Sequence, residues 1–317
     1  MKPNCLIVDL MHPSIIDLLE EAGFTVSYRP EIKPDEVKAA LKGFRVLMVR
    51  SKLHITEELL SEADELQIIA RAGAGVDNID EAALIRRNIQ LVNAPEGNRD
   101  AVGEFTVGLL LALFRNIVKA DKEVREHIWH REENRGEEIF GKTIGIIGYG
   151  NMGKAFARCL LGFNCRVIAN DTFNDAIFDE NAERVSLSEI FEQADVVSFH
   201  IPYTPENYHF ANAAFFRSFR KKVWVLSTAR GEIMDYTALV AGLQAGRLKG
   251  AALDVLENEK LGTLNARQQV NFEFLAQAPN VILTPHIAGW THQSYQKINE
   301  VLVQKIKAIH YQKDGLR

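Results

Sequence analysis

A chain of 317 residues with 47% hydrophobic and 25% charged residues has the composition of a globular protein, which excludes a disordered or fibrous one. At roughly 150 residues per domain, the length predicts about two domains. The net charge of −5, without a concentrated block of Lys and Arg, argues against nucleic acid or an anionic membrane as the main partner. A small anionic substrate stays open, because a local pocket need not share the global sign.

The longest apolar stretch, 105–114, is far shorter than the roughly 20 residues that a membrane span needs, and the apolar run 5–8 is too short for a signal-peptide core. The expectation is a cytoplasmic chain that starts near Met1. Cys5, Cys159 and Cys165 are odd in number and lack a CxxC spacing, so they read as reduced thiols in packing, with neither a disulfide framework nor a metal site.

In chain order, apolar runs at 5–8, 24–28, 46–49, 67–70 and 89–92 alternate with amphipathic stretches and predict five strands. Helices are predicted over 14–22 and 34–41, ending at Gly23 and Gly43, and after the N-cap candidates Thr56 and Asp80. Such alternation argues for a parallel sheet covered on both faces. Residues 93–98 read as a loop rich in turn formers, with a domain hinge at 98–100, and 100–124 reads as one long helix. The charged run 131–138 reads as a solvated loop.

A second series supplies apolar strands at 144–147, 167–169, 196–199, 223–226, 251–255 and 281–283, enough for a complete dinucleotide-binding fold. The amphipathic helix 294–310 follows after that domain has its six strands. The economical arrangement returns it to the first domain. The expected fold is therefore α/β, with two doubly wound parallel-sheet domains: a Rossmann domain at 99–287 inserted into a discontinuous domain made of 1–98 and 288–317.

Gly148-Tyr149-Gly150-Asn151-Met152-Gly153 is a GxGxxG sequence placed between the strand 144–147 and the helix 154–161. That context gives the motif its mechanism. The first glycine permits the tight turn, the second lets a pyrophosphate approach the backbone, the third lets helix and strand pack, and the helix N-terminus offers N–H groups to phosphate. Asp171, at the end of the next strand, can accept hydrogen bonds from ribose hydroxyls and would repel a 2′-phosphate, which favours NAD over NADP. Flavin or S-adenosylmethionine are the rival ligands for such a loop.

In an open parallel sheet the ligand lies beyond the carboxyl ends of the strands. His200, leading into Pro202, Tyr203 and Thr204, follows one strand, and Ala229, Arg230 and Gly231 follow another. Asp254 and His286 close two more. Reducing a ketone needs a hydride donor, a cation beside the developing alkoxide and a carboxylate, and a proton source at neutral pH. Arg230 and His286 supply the last two. A carboxylate on the second imidazole nitrogen would hold the tautomer, and Glu259 is the candidate.

These residues resemble the D-2-hydroxyacid dehydrogenase family, most closely its D-3-phosphoglycerate dehydrogenase branch. In the first domain the likeness rests on Val49-Arg50-Ser51-Lys52, on Arg71 through Asp80 and on Asn93-Ala94-Pro95 through Glu104. In the second it rests on the GxGxxG unit, Ser227-Thr228-Ala229-Arg230-Gly231, Ala252-Leu253-Asp254-Val255 and Leu283 through Gly289. The resemblance implies that Arg230, Glu259 and His286 are catalytic, that Asp254 holds the nicotinamide carboxamide, and that the Ala74-Gly75-Val76 backbone takes the substrate carboxylate. Gly148 to Gly153, Asp171, His200, Pro202, Thr204 and Ala229 would line the NAD site, along with Arg230, Asp254, His286 and Gly289. Arg50 and Ser51 would contact substrate, and with Lys52 and Arg131 they are candidate phosphate ligands.

The resemblance further implies that 1–98 with 288–317 is a flavodoxin-like substrate-binding domain, and it implies an active site in the cleft between the domains, a homodimer through the NAD-binding domains, and a reaction of the serine biosynthesis type. The first substrate to expect is 3-phosphoglycerate or 3-phosphohydroxypyruvate. Hydroxypyruvate or glyoxylate reduction, a formate or phosphonate dehydrogenase and an NAD-sensing corepressor are the alternatives. Three departures stand out: Lys260 where the family commonly has Pro, followed by a long polar loop; Asn151 where many relatives have Arg; and an end at Arg317 that leaves no C-terminal regulatory domain, so serine feedback is not expected.

Overall fold

The protein is described by a computed structural model that covers residues 2–172 and 178–313, so both chain ends lie outside the described residues. It divides into two compact units, Met1–Asn98 with Trp290–Arg317, and Arg99–Gly289. The sequence places the return at 288, two residues before this division.

The first unit runs β1 (Asn4–Ile7), α1 (Ser14–Glu21), β2 (Thr25–Tyr28), α2 (Pro34–Ala40), β3 (Val46–Val49), β4 (Ile68–Arg71), α3 (Glu81–Arg86) and β5 (Gln90–Asn93). The five parallel strands take the order β2-β1-β3-β4-β5, the flavodoxin-like arrangement. All four residues of β3, Val-Leu-Met-Val, are buried, because helices cover both faces of the sheet. Asp80 caps α3 by accepting the Ala83 N–H at 3.0 Å. The segment after Thr56 forms a 3-10 turn at Leu59–Glu62, not an α-helix, and the Arg87 guanidinium bonds the Leu60 carbonyl at 2.7 Å, so a side chain takes an oxygen that a longer helix would use.

The chain passes between units inside α4 (Pro95–Phe114). The expected loop at 93–98 is thus largely helical, since Pro95 has the fixed φ that suits a first helical residue. Nor is 100–124 one helix. It breaks before α5 (Ile117–Arg125) with a bend of 61°. Asn116 at the break is left-handed, with φ 52°, and the Glu137 N–H takes the Phe114 carbonyl at 2.9 Å in place of a next turn. Among the described residues no single helix is long and apolar enough to cross a membrane.

The second unit continues with β6 (Thr143–Ile147), α6 (Asn151–Cys159), β7 (Arg166–Asn170), β8 (Glu183–Arg184), α7 (Leu187–Gln193), β9 (Val196–Phe199) and α8 (Ala213–Ser218). After these come β10 (Val223–Ser227), α9 (Tyr236–Gln244), β11 (Leu248–Leu253), α10 (Ala266–Gln277) and β12 (Val281–Leu283). The seven-stranded order β12-β11-β10-β9-β6-β7-β8 is the Rossmann order with one strand more than expected at an edge. Several residues were expected to be strand without being so: β11 stops at Leu253, and 254 and 255 lie beyond it. The two-residue β8, Glu-Arg and exposed, has no apolar pattern to announce it.

The final helix, α11 (His292–Lys313), packs in the first unit, where Ile298, Leu302, Val303 and Ile306 join the core formed with α1 and the sheet. A Cβ on Gly97 would come within 2.7 Å of the Ile298 Cα, so glycine permits this close approach. Asn299 adds a hydrogen bond to the His12 carbonyl at 2.9 Å, and Lys305 bonds Glu96 at 2.8 Å.

Candidate active site

The phosphate loop lies between β6 and α6, and its three glycines have three different surroundings. Gly148 has φ +90°, and a Cβ there would sit 2.8 Å from the His200 backbone. A Cβ on Gly153 would overlap the Gly148 carbonyl oxygen, which is how closely the helix is pressed onto the turn. At Gly150 nothing lies within 4 Å of the Cβ position. That open space adjoins the start of the nine-residue α6, where Gly150 is the N-cap and supplies no side-chain cap. Open backbone beside uncapped helical N–H groups is a cradle that fits a pyrophosphate.

Asp171, directly after β7, accepts the Tyr149 N–H at 2.8 Å, so its carboxylate is held at the phosphate loop. The Tyr149 side chain is buried, stacks on Phe178 at 4.9 Å and donates its hydroxyl to Asp179 at 2.6 Å. Burial, with the Asp179 charge beside it, pushes the Tyr149 phenol up.

His200 follows β9. Its Nε2 pairs with Ser198 Oγ at 2.8 Å and its Nδ1 is buried without a hydrogen-bond partner. Burial pushes the imidazole down to about 3, which keeps it neutral. Its backbone forms the floor beneath Gly148. Thr204 caps a 3-10 turn by accepting the Asn207 N–H at 3.3 Å, and the Pro202 carbonyl accepts Asn207 Nδ2 at 2.9 Å, so both serve the shape of their own loop.

The groups that can react follow β10, β11 and β12 of the same sheet. Asp254 is fully buried, and its carboxylate accepts three bonds from the turn after β12: Thr284 Oγ1 at 2.6 Å, Ile287 N at 3.0 Å and Ala288 N at 2.7 Å. The Asp254 carbonyl takes the His286 N–H at 2.8 Å. This clasp holds His286 at φ 56°, a left-handed backbone that costs a non-glycine residue about 1–2 kcal/mol. The imidazole then meets Glu259, with Nδ1 2.8 Å from Oε1. The remaining nitrogen, Nε2, is left to exchange a proton with a ligand. Arg230 follows β10, and one guanidinium nitrogen donates to the Ala229 carbonyl at 2.7 Å.

The candidate substrate residues of the first unit occupy the ends of β3 and β4. The Arg50 guanidinium lies over the Trp290 ring at 4.3 Å and within 5.2 Å of Tyr295, and its backbone N–H bonds the buried Asp9 at 2.6 Å. Ser51 is exposed. In the Ala74-Gly75-Val76 turn, the Ala74 carbonyl accepts Asn93 Nδ2 at 2.6 Å. The Lys52 ammonium donates to the carbonyls of Pro30 and Ile32. Arg131 is exposed in the second unit.

Sequence reasoning missed Ser198, Thr284, Trp290 and Tyr295. Ser198 carried a signal, being polar between Val197 and Phe199 in an apolar strand. Trp290 and Tyr295 carried none, because nothing local says which cation an aromatic ring will meet.

Comparison with known proteins adds a family match and several likenesses that span most of this chain. The family described as D-isomer specific 2-hydroxyacid dehydrogenase, NAD binding domain, matches residues 107–288. The chain is 33% identical to a D-3-phosphoglycerate dehydrogenase of Synechocystis sp., over 96% of this chain and 53% of that protein. It thus spans about half the length of the curated phosphoglycerate dehydrogenases it matches. It is also 33% identical to a hydroxypyruvate reductase of Thermotoga maritima, over 87% of this chain and 88% of that protein. Among solved structures, a D-lactate dehydrogenase from Aquifex aeolicus, complexed with NAD and lactic acid, superposes with a TM-score of 0.82 at 26% identity, covering 99% of this chain and 97% of the other.

Proposed function

The chain belongs to the D-isomer specific 2-hydroxyacid dehydrogenase family, in its phosphoglycerate dehydrogenase-like branch, and from that premise we propose that it interconverts a D-2-hydroxy acid and its 2-keto acid with NAD. The observation that carries the proposal is the His286–Glu259 pair at 2.8 Å, held by the Asp254 clasp at the strand ends of an NAD-binding domain.

The residues fit the cofactor: Gly148 to Gly153 with the α6 N-terminus would hold the pyrophosphate, and Asp171 the adenosine ribose. His200, Pro202, Thr204, Ala229, Asp254 and Gly289 complete the proposed cofactor set. When bound, the nicotinamide supplies or accepts the hydride. Arg230 pairs with the substrate carboxylate and orients the keto group. As the carbonyl carbon gains the hydride, His286 gives the Nε2 proton to the carbonyl oxygen, and Glu259 stabilises the charge distribution on the ring throughout. In the oxidative direction Nε2 takes the hydroxyl proton.

For the substrate we propose 3-phosphohydroxypyruvate and 3-phosphoglycerate first, with Arg50 and Ser51 as ligands of the phosphate and the 74–76 backbone as a ligand of the carboxylate. Arg50, oriented by two aromatic rings, supports an anionic side chain. Hydroxypyruvate or glyoxylate is the second reading, favoured by the reductase of similar length among the relatives. An NAD-sensing corepressor is disfavoured by the assembled His286–Glu259 pair. A homodimer through the second unit is part of the proposal, supported by the exposed Ile117, Val118, Val124 and Trp129 in one segment. So is a cytoplasmic location, supported by three free cysteines.

Purified protein is tested with NADH against 3-phosphohydroxypyruvate, hydroxypyruvate, glyoxylate and pyruvate, with NADH absorbance as the readout. Oxidation is expected with at least one acid, fastest with the phosphorylated one. No oxidation across the panel would sink the dehydrogenase proposal, and a faster rate with hydroxypyruvate would select the second reading.

A further inference from the structure

Glu259 is the most weakly held member of the proposed catalytic set. Its side chain is 48% exposed, and it lies on the connection between β11 and α10, where the regular structure is a single 3-10 turn at Leu261–Thr263. Its own packing does not place its carboxylate. Its neighbours do.

On the C-terminal side, Asn258 folds around Glu259: its Oδ1 accepts the Lys260 N–H at 3.0 Å. Its Nδ2 reaches the Thr263 carbonyl at 3.3 Å, Thr263 Oγ1 at 3.2 Å and Gln268 Oε1 at 3.4 Å. Thr263 Oγ1 in turn donates to the Lys260 carbonyl at 2.9 Å. Gln268 is also the capping-box partner of Asn265, so the loop is tied to the start of α10.

On the N-terminal side, Glu257 has a side chain that is only 10% exposed and pairs with Arg267 of α10. His209 Nε2 lies 3.8 Å from the same oxygen. The Leu256–Glu257 peptide rests directly on Gly231, where a Cβ would overlap the Leu256 carbonyl. The loop is therefore seated on the segment that carries Arg230. One short stretch sets where Glu259 stands relative to both His286 and Arg230.

We infer that Asn258, supported by the Glu257–Arg267 pair, is a positioning residue that holds the Glu259 carboxylate on His286; the inference rests on the dehydrogenase reading. The Asn258 side chain bonds Lys260, Thr263 and Gln268, and its action on His286 runs through the backbone of Glu259. The hydrogen bond that fixes the imidazole tautomer tolerates little displacement, because a misplacement of about 1 Å can cost roughly a hundredfold in rate. Asn258→Ala frees the loop on one side while Glu257–Arg267 still holds the other, so a loss of about tenfold is expected.

The experiment compares wild type, Asn258→Ala and Asn258→Asp. Asn258→Ala lowers kcat about tenfold, while the keto-acid KM and the NADH dissociation constant stay within about twofold. Asn258→Asp keeps the acceptor for Lys260 but loses the Nδ2 donor to Thr263 and Gln268, so it recovers only part of the lost rate. A second readout needs neither cofactor nor turnover: the downfield N–H proton resonance of the His286 imidazole, assigned by its loss in Glu259→Gln, weakens or moves upfield in Asn258→Ala. An unchanged resonance with unchanged kcat overturns the inference. An unchanged resonance with a lowered thermal midpoint and a parallel loss of rate gives Asn258 a merely structural role, and also overturns it. If the wild type turns over no keto acid, the dehydrogenase reading fails by itself and the resonance alone decides the positioning role.

Discussion

Two strand ends of the seven-stranded sheet each present a histidine, one after the central β9 and one after the edge strand β12, and the two histidines stand in different surroundings. After β9, beside β6, His200 is buried, neutral and paired with Ser198, and on β6 the backbone leads into an open Gly150 and an uncapped helix start. Near β10, β11 and β12, His286 is partly exposed, held in a left-handed conformation and paired with a carboxylate from a different loop. The comparison teaches that a polar residue at a strand end becomes reactive only if its environment leaves a nitrogen accessible and gives the other a partner.

The largest expected effect breaks the two ends apart. His286→Ala should lower kcat by about 10²–10⁴ while NADH binding, followed by fluorescence, is retained. Loss of binding in parallel would mean that the ends are not separable.

Next in size is a contrast within the phosphate loop. Gly153→Ala forces a methyl into the Gly148 carbonyl and should destabilise the fold by about 1–3 kcal/mol, seen as a lowered unfolding midpoint in urea. Gly150→Ala meets no atom within 4 Å at an ordinary φ of −79°, so the midpoint should hold while NADH affinity falls about tenfold, or about 1.4 kcal/mol. Equal effects on stability and binding in both variants would remove the distinction between a packing glycine and a cradle glycine.

The last effect appears only in acid. His200 has a folded value of about 3 against roughly 6.5 unfolded, so below pH 6.5 the unfolded chain binds a proton that the folded chain refuses. The stability contribution is complete above pH 6.5 and is lost as pH falls toward 3, by at most about 1.4 kcal/mol per pH unit. In His200→Gln the thermal midpoint should fall less between pH 7 and pH 5 than in wild type. Parallel falls would assign the acid sensitivity elsewhere.

Much of this arrangement was legible in the residues. Apart from β8, the strands of both sheets announced themselves by apolar runs, and the glycine loop by its place between strand and helix. Two errors share a cause. Residues 100–124 have a continuous helical pattern, yet the helix breaks because Glu137, distant in sequence, captures the Phe114 carbonyl. Residues after Thr56 look helical, but Arg87 takes the Leu60 carbonyl. In both places a backbone oxygen finds a partner from outside the segment, and no local pattern encodes that.

The same boundary runs through the candidate site. The sequence by itself determined the two α/β sheets, the position of the phosphate loop and the presence of Arg230, Asp254 and His286 at strand ends, because periodicity and glycine placement act over a few neighbouring residues. Only the tertiary structure decided that Glu259 meets His286 at 2.8 Å, that Asp254 clasps the turn carrying it, and that Trp290 and Tyr295 lie on Arg50. Each of those contacts joins segments far apart in the chain. Their distances follow from how helices and loops pack on the sheets, and that packing is a property of the folded chain as a whole.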